Sequence, residues 1–108
     1  MDGEIATDQL QAELETPNPP LIVDIRQPGA YRAGHIPEST NLPLSELVAG
    51  VERVAHADHV VTVCPHGKAS VKAARLIAAY EEFDGRVESL EGGLTAWDGP
   101  LVQAADRQ

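Results

Sequence analysis

Cysteine occurs once in this chain of 108 residues, as do tryptophan and phenylalanine, and lysine occurs only twice. A lone cysteine cannot close an internal disulfide, so a reducing cytoplasm is the expected compartment. No apolar run approaches the roughly 18 residues that a membrane span needs. The opening stretch MDGEIATDQLQAELE is too acidic and polar for a signal peptide. Cations are scarce: 8 Lys and Arg stand against 17 Asp and Glu, a formal charge of −9. Phosphate binding needs a basic patch, so neither nucleic acid nor an anionic membrane is an expected partner. An acidic, lysine-poor surface suits a salt-rich cytoplasm and an ordinary acidic protein alike. What is present is an ordinary 43 % of hydrophobic residues, enough at this length for one domain, residues 1–108, with a single core.

The pattern along the chain predicts alternating strands and helices. Thr7, followed by Asp8, reads as the cap of a helix that runs to about Leu14, where TPNPP (16–20) stops it. LIVDI (21–25) reads as a buried parallel strand with a polar end. A short helical turn over 28–33, a brief strand over 40–43 and a helix capped by Ser45 and reaching Val54 follow. HVVTVC (59–64) is a second buried strand, and ASVKAARLIAAYEEF (69–83) carries the strongest helix signal. RVESLEGG (86–93) reads as a third strand ending in a turn, 94–99 as a short helix, and the tail from Val102 as frayed. Such alternation predicts a parallel sheet covered on both faces, with ligands at the C-terminal strand edge.

Cys64 falls on that edge. Cys64-Pro65-His66-Gly67-Lys68-Ala69-Ser70 joins a buried strand to the start of the long helix. A helix start offers unpaired N–H groups and a positive dipole end, which favour a thiolate or a persulfide. Gly67 lets the loop curl so that those groups converge, whereas Pro65 has no N–H to give. An inert buried cysteine also fits this motif taken alone. A phosphatase loop does not, because Cys-x5-Arg would place arginine where Ser70 stands. A phosphate-binding P-loop needs glycine at Thr62 and a hydroxyl at Ala69. A Cys–His protease pair could draw on His35, His56, His59 or His66, yet no spacing argues for one.

Elsewhere the polar residues point to structure first. His56 and His59 flank Asp58 without a second ligand cluster, so a solvated loop is expected and no metal site. Asp24 and Arg26 follow a strand and suit an ion pair that ties down loops, with substrate contact as the alternative. Trp97 suits a core anchor. Gly92-Gly93 suits a turn that could also bring backbone against the cysteine loop. Lys68, Lys72 and Arg75 share one helix stripe beside the cysteine, and Val71, Ala74, Ile77 and Ala78 form the apolar stripe. The basic stripe is a solvated face or a local field that steers an anion.

Three ordered motifs together resemble a family. DIRQPGAYRAGHIPESTNLP (24–43), the cysteine loop and LEGGLTAW (90–97) are similar to the signatures of single-domain rhodaneses, over about residues 5–102. The resemblance implies a three-layer α/β sandwich, a parallel sheet of about five strands with helices on both faces. It implies sulfur transfer through a Cys64 persulfide, from a donor such as thiosulfate to cyanide, a thiol or a sulfur-carrier protein, with no cofactor. Pro65 to Ser70 would bind the anionic donor, with Asp24, Arg26 and Lys72 in support. Glu38-Ser39 departs from the usual Gly-Ala pair, and Ala69 stands where many active members carry arginine. Some members are non-catalytic partner-binding or regulatory modules, which is the alternative function.

Overall fold

The computed structural model describes residues 2–103. Its centre is β4 (His59–Val63), whose run of β-branched residues suits a strand buried on both sides. Val60 faces one core cluster, Val61 and Val63 face the other, and all three are fully buried. Each contributes about 2 kcal/mol through burial.

Around β4 the chain builds β1 (Asp2–Ile5), α1 (Thr7–Leu14), β2 (Leu21–Asp24), α2 (Pro28–Ala33) and β3 (Thr40–Asn41). After it come α4 (Ala69–Ala79), β5 (Arg86–Leu90) and α5 (Gly93–Ala96), while α3 (Leu47–Gly50) precedes it. The sheet has five strands in the order β1-β5-β4-β2-β3, and every pairing is parallel. Leu47, Val54, Ala73, Ala74 and Ile77 pack on one face; Leu10, Ile36 and Trp97 pack on the other. The result is the expected three-layer α/β sandwich.

Several local expectations are corrected. β1 was not legible: Asp2, Gly3 and Glu4 are poor strand formers, and only Ile5 of the four is apolar. It forms because β5 offers it a ladder from Val87 to Leu90. Ala6, not Thr7, is the N-cap of α1, and Ser45 makes no capping hydrogen bond. The segment 44–53 is a 3-10 turn, the single turn of α3 and a second 3-10 turn rather than one helix. α4 stops at Ala79 instead of Phe83. Glu81 and Glu82 would sit at the negative end of the helix dipole, and Phe83 turns back into the core. β5 ends at Leu90 and passes into the expected turn, while α5 starts at Gly93 and ends at Ala96 instead of spanning 94–99. The expected frayed tail is anchored at Val102, which exchanges backbone hydrogen bonds with His35 at 2.8 and 2.9 Å. Residues 104–108 of that tail lie outside the described residues.

Candidate active site

β4 ends at Val63 and delivers Cys64 to the C-terminal edge of the sheet, where the residue is 2 % exposed. The backbone then reverses through Gly67, whose φ of +85° is a left-handed conformation that favours glycine. That turn points N–H groups back at the sulfur. The Gly67 amide donates to Cys64 Sγ at 3.1 Å and the Ser70 amide at 3.3 Å. Burial pushes the thiol upward, but the Ser70 hydroxyl and the amides of Ser70, Gly67 and His66 outweigh it. The Cys64 thiol is thereby held below its ordinary value.

The loop is clamped from behind by the turn after β5. Gly92 and Gly93 have φ of +76° and +65°. A Cβ on Gly93 would stand 2.4 Å from the Cys64 carbonyl, and one on Gly67 would stand 2.8 Å from the Gly92 nitrogen. The backbones therefore touch. The Leu94 amide donates to the Cys64 carbonyl at 2.9 Å and the Thr95 amide to the Pro65 carbonyl at 3.0 Å. Start-of-helix donors of α5 thus bind loop carbonyls, and the loop's own amides stay turned to the sulfur.

Three buried hydroxyls lie behind the sulfur: Ser70 was expected in the loop, whereas Thr62 and Ser89 escaped sequence reasoning. Ser70 Oγ lies 3.3 Å from Cys64 Sγ and 2.6 Å from Ser89 Oγ, and Thr62 Oγ1 donates to the Ser70 carbonyl at 2.7 Å. The inward stripe of α4 is Ser70, Ala73, Ala74 and Ile77, not the expected Val71, Ala74, Ile77 and Ala78. A signal was available for Thr62 and Ser70, each a hydroxyl residue between apolar neighbours, which marks a buried polar group in need of a partner; Ser89 follows Glu88 and carried none.

The other site candidates separate cleanly. Pro65, His66 and Lys68 are exposed around the loop, Ala69 opens α4, and Lys72 is exposed on that helix. Asp24 and Arg26 pair with each other: Arg26 Nε and Nη2 reach the carboxylate at 3.0 and 2.8 Å, and Nη2 also donates to the Gly34 carbonyl at 2.7 Å. Asn41 Nδ2 bridges the carbonyls of Asp24 and Arg26. This is the expected tie between loops. His59 departs from the expected solvated loop, because β4 already begins there and a ring nitrogen meets Glu88 at 2.7 Å. Trp97 is buried, with its indole N–H on the Pro100 carbonyl. A groove of about 850 Å³ opens at the other end of the sheet, beside Leu21, His59 and Trp97, and includes no residue of the cysteine loop.

Residues 6–99 match the model of the rhodanese-like domain. The chain belongs to the rhodanese-like domain family. It is 33 % identical over 87 residues to the thiosulfate sulfurtransferase GlpE of Pseudoalteromonas translucida, covering 81 % of each chain. Its identity to the GlpE of Pseudomonas syringae is 36 % over 78 residues, 71 % of each. In structure it is similar to a rhodanese-like domain protein of Staphylococcus aureus, with a TM-score of 0.84 at 27 % identity, over 95 % of this chain and 99 % of that one. The rhodanese-like signature residues 90–97 therefore acquire a physical meaning: Gly92 and Gly93 are the surface on which the cysteine loop is built. No helix among the described residues is long and apolar enough to cross a membrane.

Proposed function

We propose that this single rhodanese-like domain is a sulfurtransferase of the thiosulfate type, acting in the cytoplasm through a Cys64 persulfide. The observation that carries it is the convergence of the Gly67 and Ser70 amides on the sulfur of the chain's only cysteine. Such a cradle stabilises a negative sulfur, which is the nucleophile and also the form in which a persulfide is held. The thiolate attacks the outer sulfur of thiosulfate; the S–S bond to the sulfonate breaks, sulfite leaves with the electron pair, and Cys64–S–S⁻ remains. A nucleophile such as cyanide or a thiolate then takes the outer sulfur and returns the thiolate, in ping-pong order. Chemistry of this kind needs no cofactor and no metal.

The exposed Lys68, with Lys72 one helical turn on, supplies positive charge beside the loop and draws in the anionic donor; His66 and Pro65 shape its approach. Ala69 brings no arginine to the site, so donor recognition falls to Lys68 and to backbone N–H groups. With one cysteine in the chain, the persulfide is discharged to an external thiol or sulfur-acceptor protein. The two GlpE relatives, whose names state thiosulfate sulfurtransfer, support this assignment.

The test is intact-mass spectrometry after exposure to thiosulfate. Wild-type protein gains one sulfur that cyanide or reductant removes, and Cys64→Ser, which keeps the shape but cannot form a persulfide, gains none. A folded wild-type protein that takes sulfur from no sulfane donor would be a binding module instead.

A further inference from the structure

Ser89 lies on β5 with no exposure, where an apolar residue would cost less to bury. Its Oγ is 2.6 Å from Ser70 Oγ, and among the described residues it has no other hydrogen-bond partner for its side chain. Ser70 Oγ in turn is 3.3 Å from the sulfur. Strand β4 fixes the Ser70 backbone through Thr62, and β5 fixes its side chain through Ser89. We propose that Ser89 is a positioning residue that aims the Ser70 hydroxyl at Cys64 and so selects the thiolate; its functional meaning rests on the sulfur chemistry above.

Counting hydrogens shows why. The array Cys64–Ser70–Ser89 has two links. As a thiol it holds three hydrogens, so one always lacks an acceptor within the array. It is the Ser89 hydroxyl hydrogen if the bonds run from the thiol to Ser89, the thiol hydrogen if they run the other way, and the Ser70 hydrogen if Ser70 accepts from both. When the thiol proton has gone to water, two hydrogens serve two links. Ser89 then donates to Ser70, and Ser70 donates to the sulfur. An unpaired buried hydroxyl is costly, and hydrogen bonds running in one direction reinforce each other. Ser89 leads to no further acceptor, so the array reorients and does not conduct the proton. Without Ser89, the Ser70 hydroxyl loses the partner that orients it and is free to rotate away from the sulfur.

The test is the pH profile of iodoacetamide alkylation, read by intact mass. With a single cysteine in the chain, the signal is Cys64 alone. Thiolate nucleophilicity changes with its basicity, so the midpoint is read and not the plateau rate. Ser70→Ala should move the midpoint up most. Ser89→Ala removes one oxygen and should move it up less, lowering the thiolate fraction below the midpoint about threefold. The double variant should match Ser70→Ala alone, because Ser89 acts only through Ser70, and Ser89→Thr should restore the wild-type midpoint. An unmoved midpoint in Ser89→Ala, additive shifts in the double variant, or threonine behaving as alanine would each overturn the proposal. Alkylation needs no sulfur donor, so a protein inert to thiosulfate would sink the sulfurtransferase assignment while this profile still decided Ser89.

Discussion

Two adjacent strand ends meet the same edge of the sheet and do opposite things. β2 and β4 are hydrogen-bonded neighbours, with Asp24 opposite Val63, yet the residues that follow them differ in what they leave unspent. After β2, the charges of Asp24 and Arg26 satisfy each other, and the remaining capacity goes to Gly34 and Asn41. After β4, the loop holds almost no charge in its interior, but its amides converge on one sulfur. The lesson is that a conspicuous ion pair can be scaffold, while donors aimed at a single polarizable atom are what the proposed chemistry would use. Full charges that have found each other are a closed account; oriented backbone dipoles remain available to an incoming anion.

The largest effect expected from this contrast is on stability. Asp24→Ala leaves a guanidinium that is 14 % exposed without its partner and should cost about 3 kcal/mol in denaturant unfolding. The alkylation midpoint of Cys64 in the folded variant should stay at the wild-type value. A midpoint that moves as far as in a loop variant would put the ion pair inside the chemistry and break the comparison.

On the other strand end, Gly67→Ala should cost about 2 kcal/mol, from the left-handed backbone and the contact with the Gly92 nitrogen. Here the chemistry should suffer as well as the fold: persulfide formation from thiosulfate should fall more than tenfold, and the midpoint should rise as the Gly67 amide loses its aim. Persulfide formation at the wild-type rate in the folded variant would show that converging amides do not activate Cys64. Both readouts come from the same intact-mass measurement, with stability from urea titration.

The smallest effect sharpens the scaffold side. Glu38 is exposed and has φ of +67°, a conformation that costs an L-residue about 1 kcal/mol. Glu38→Gly should therefore stabilise the protein by about 0.5 kcal/mol, after the greater chain entropy of glycine in the unfolded state is subtracted. Alkylation and persulfide formation should be unchanged. A loss of stability would mean that the Glu38 side chain makes up for its strained backbone.

Much of this was legible in the chain itself. The runs 21–25 and 59–64 announce buried strands because β-branched side chains are buried on both faces of the sheet, and Gly67 announces a turn because only glycine tolerates it cheaply. The basic residues beside Cys64 are legible because lysine is so rare here. The strand at Asp2–Ile5 was not legible, since its ladder comes from β5, more than eighty residues away in the chain. Nor was the end of α4: helix propensity carries past Ala79, and the burial of Phe83 overrules it.

By itself the sequence determined the alternation of strands and helices, the place of Cys64 at a strand end, and the donors that a helix start must leave unpaired. These follow from side-chain period and backbone geometry, which are local. Only the tertiary structure decided that Gly92 and Gly93 press on the cysteine loop and that Ser89 meets Ser70. It also decided that Asp24 holds Arg26 in a bidentate pair that Gly34 and Asn41 complete. Hydrogen-bond partners in a buried site are set by which strands lie side by side, and parallel strands are joined through distant parts of the chain. A serine's neighbours in the fold are therefore absent from its neighbours in the sequence.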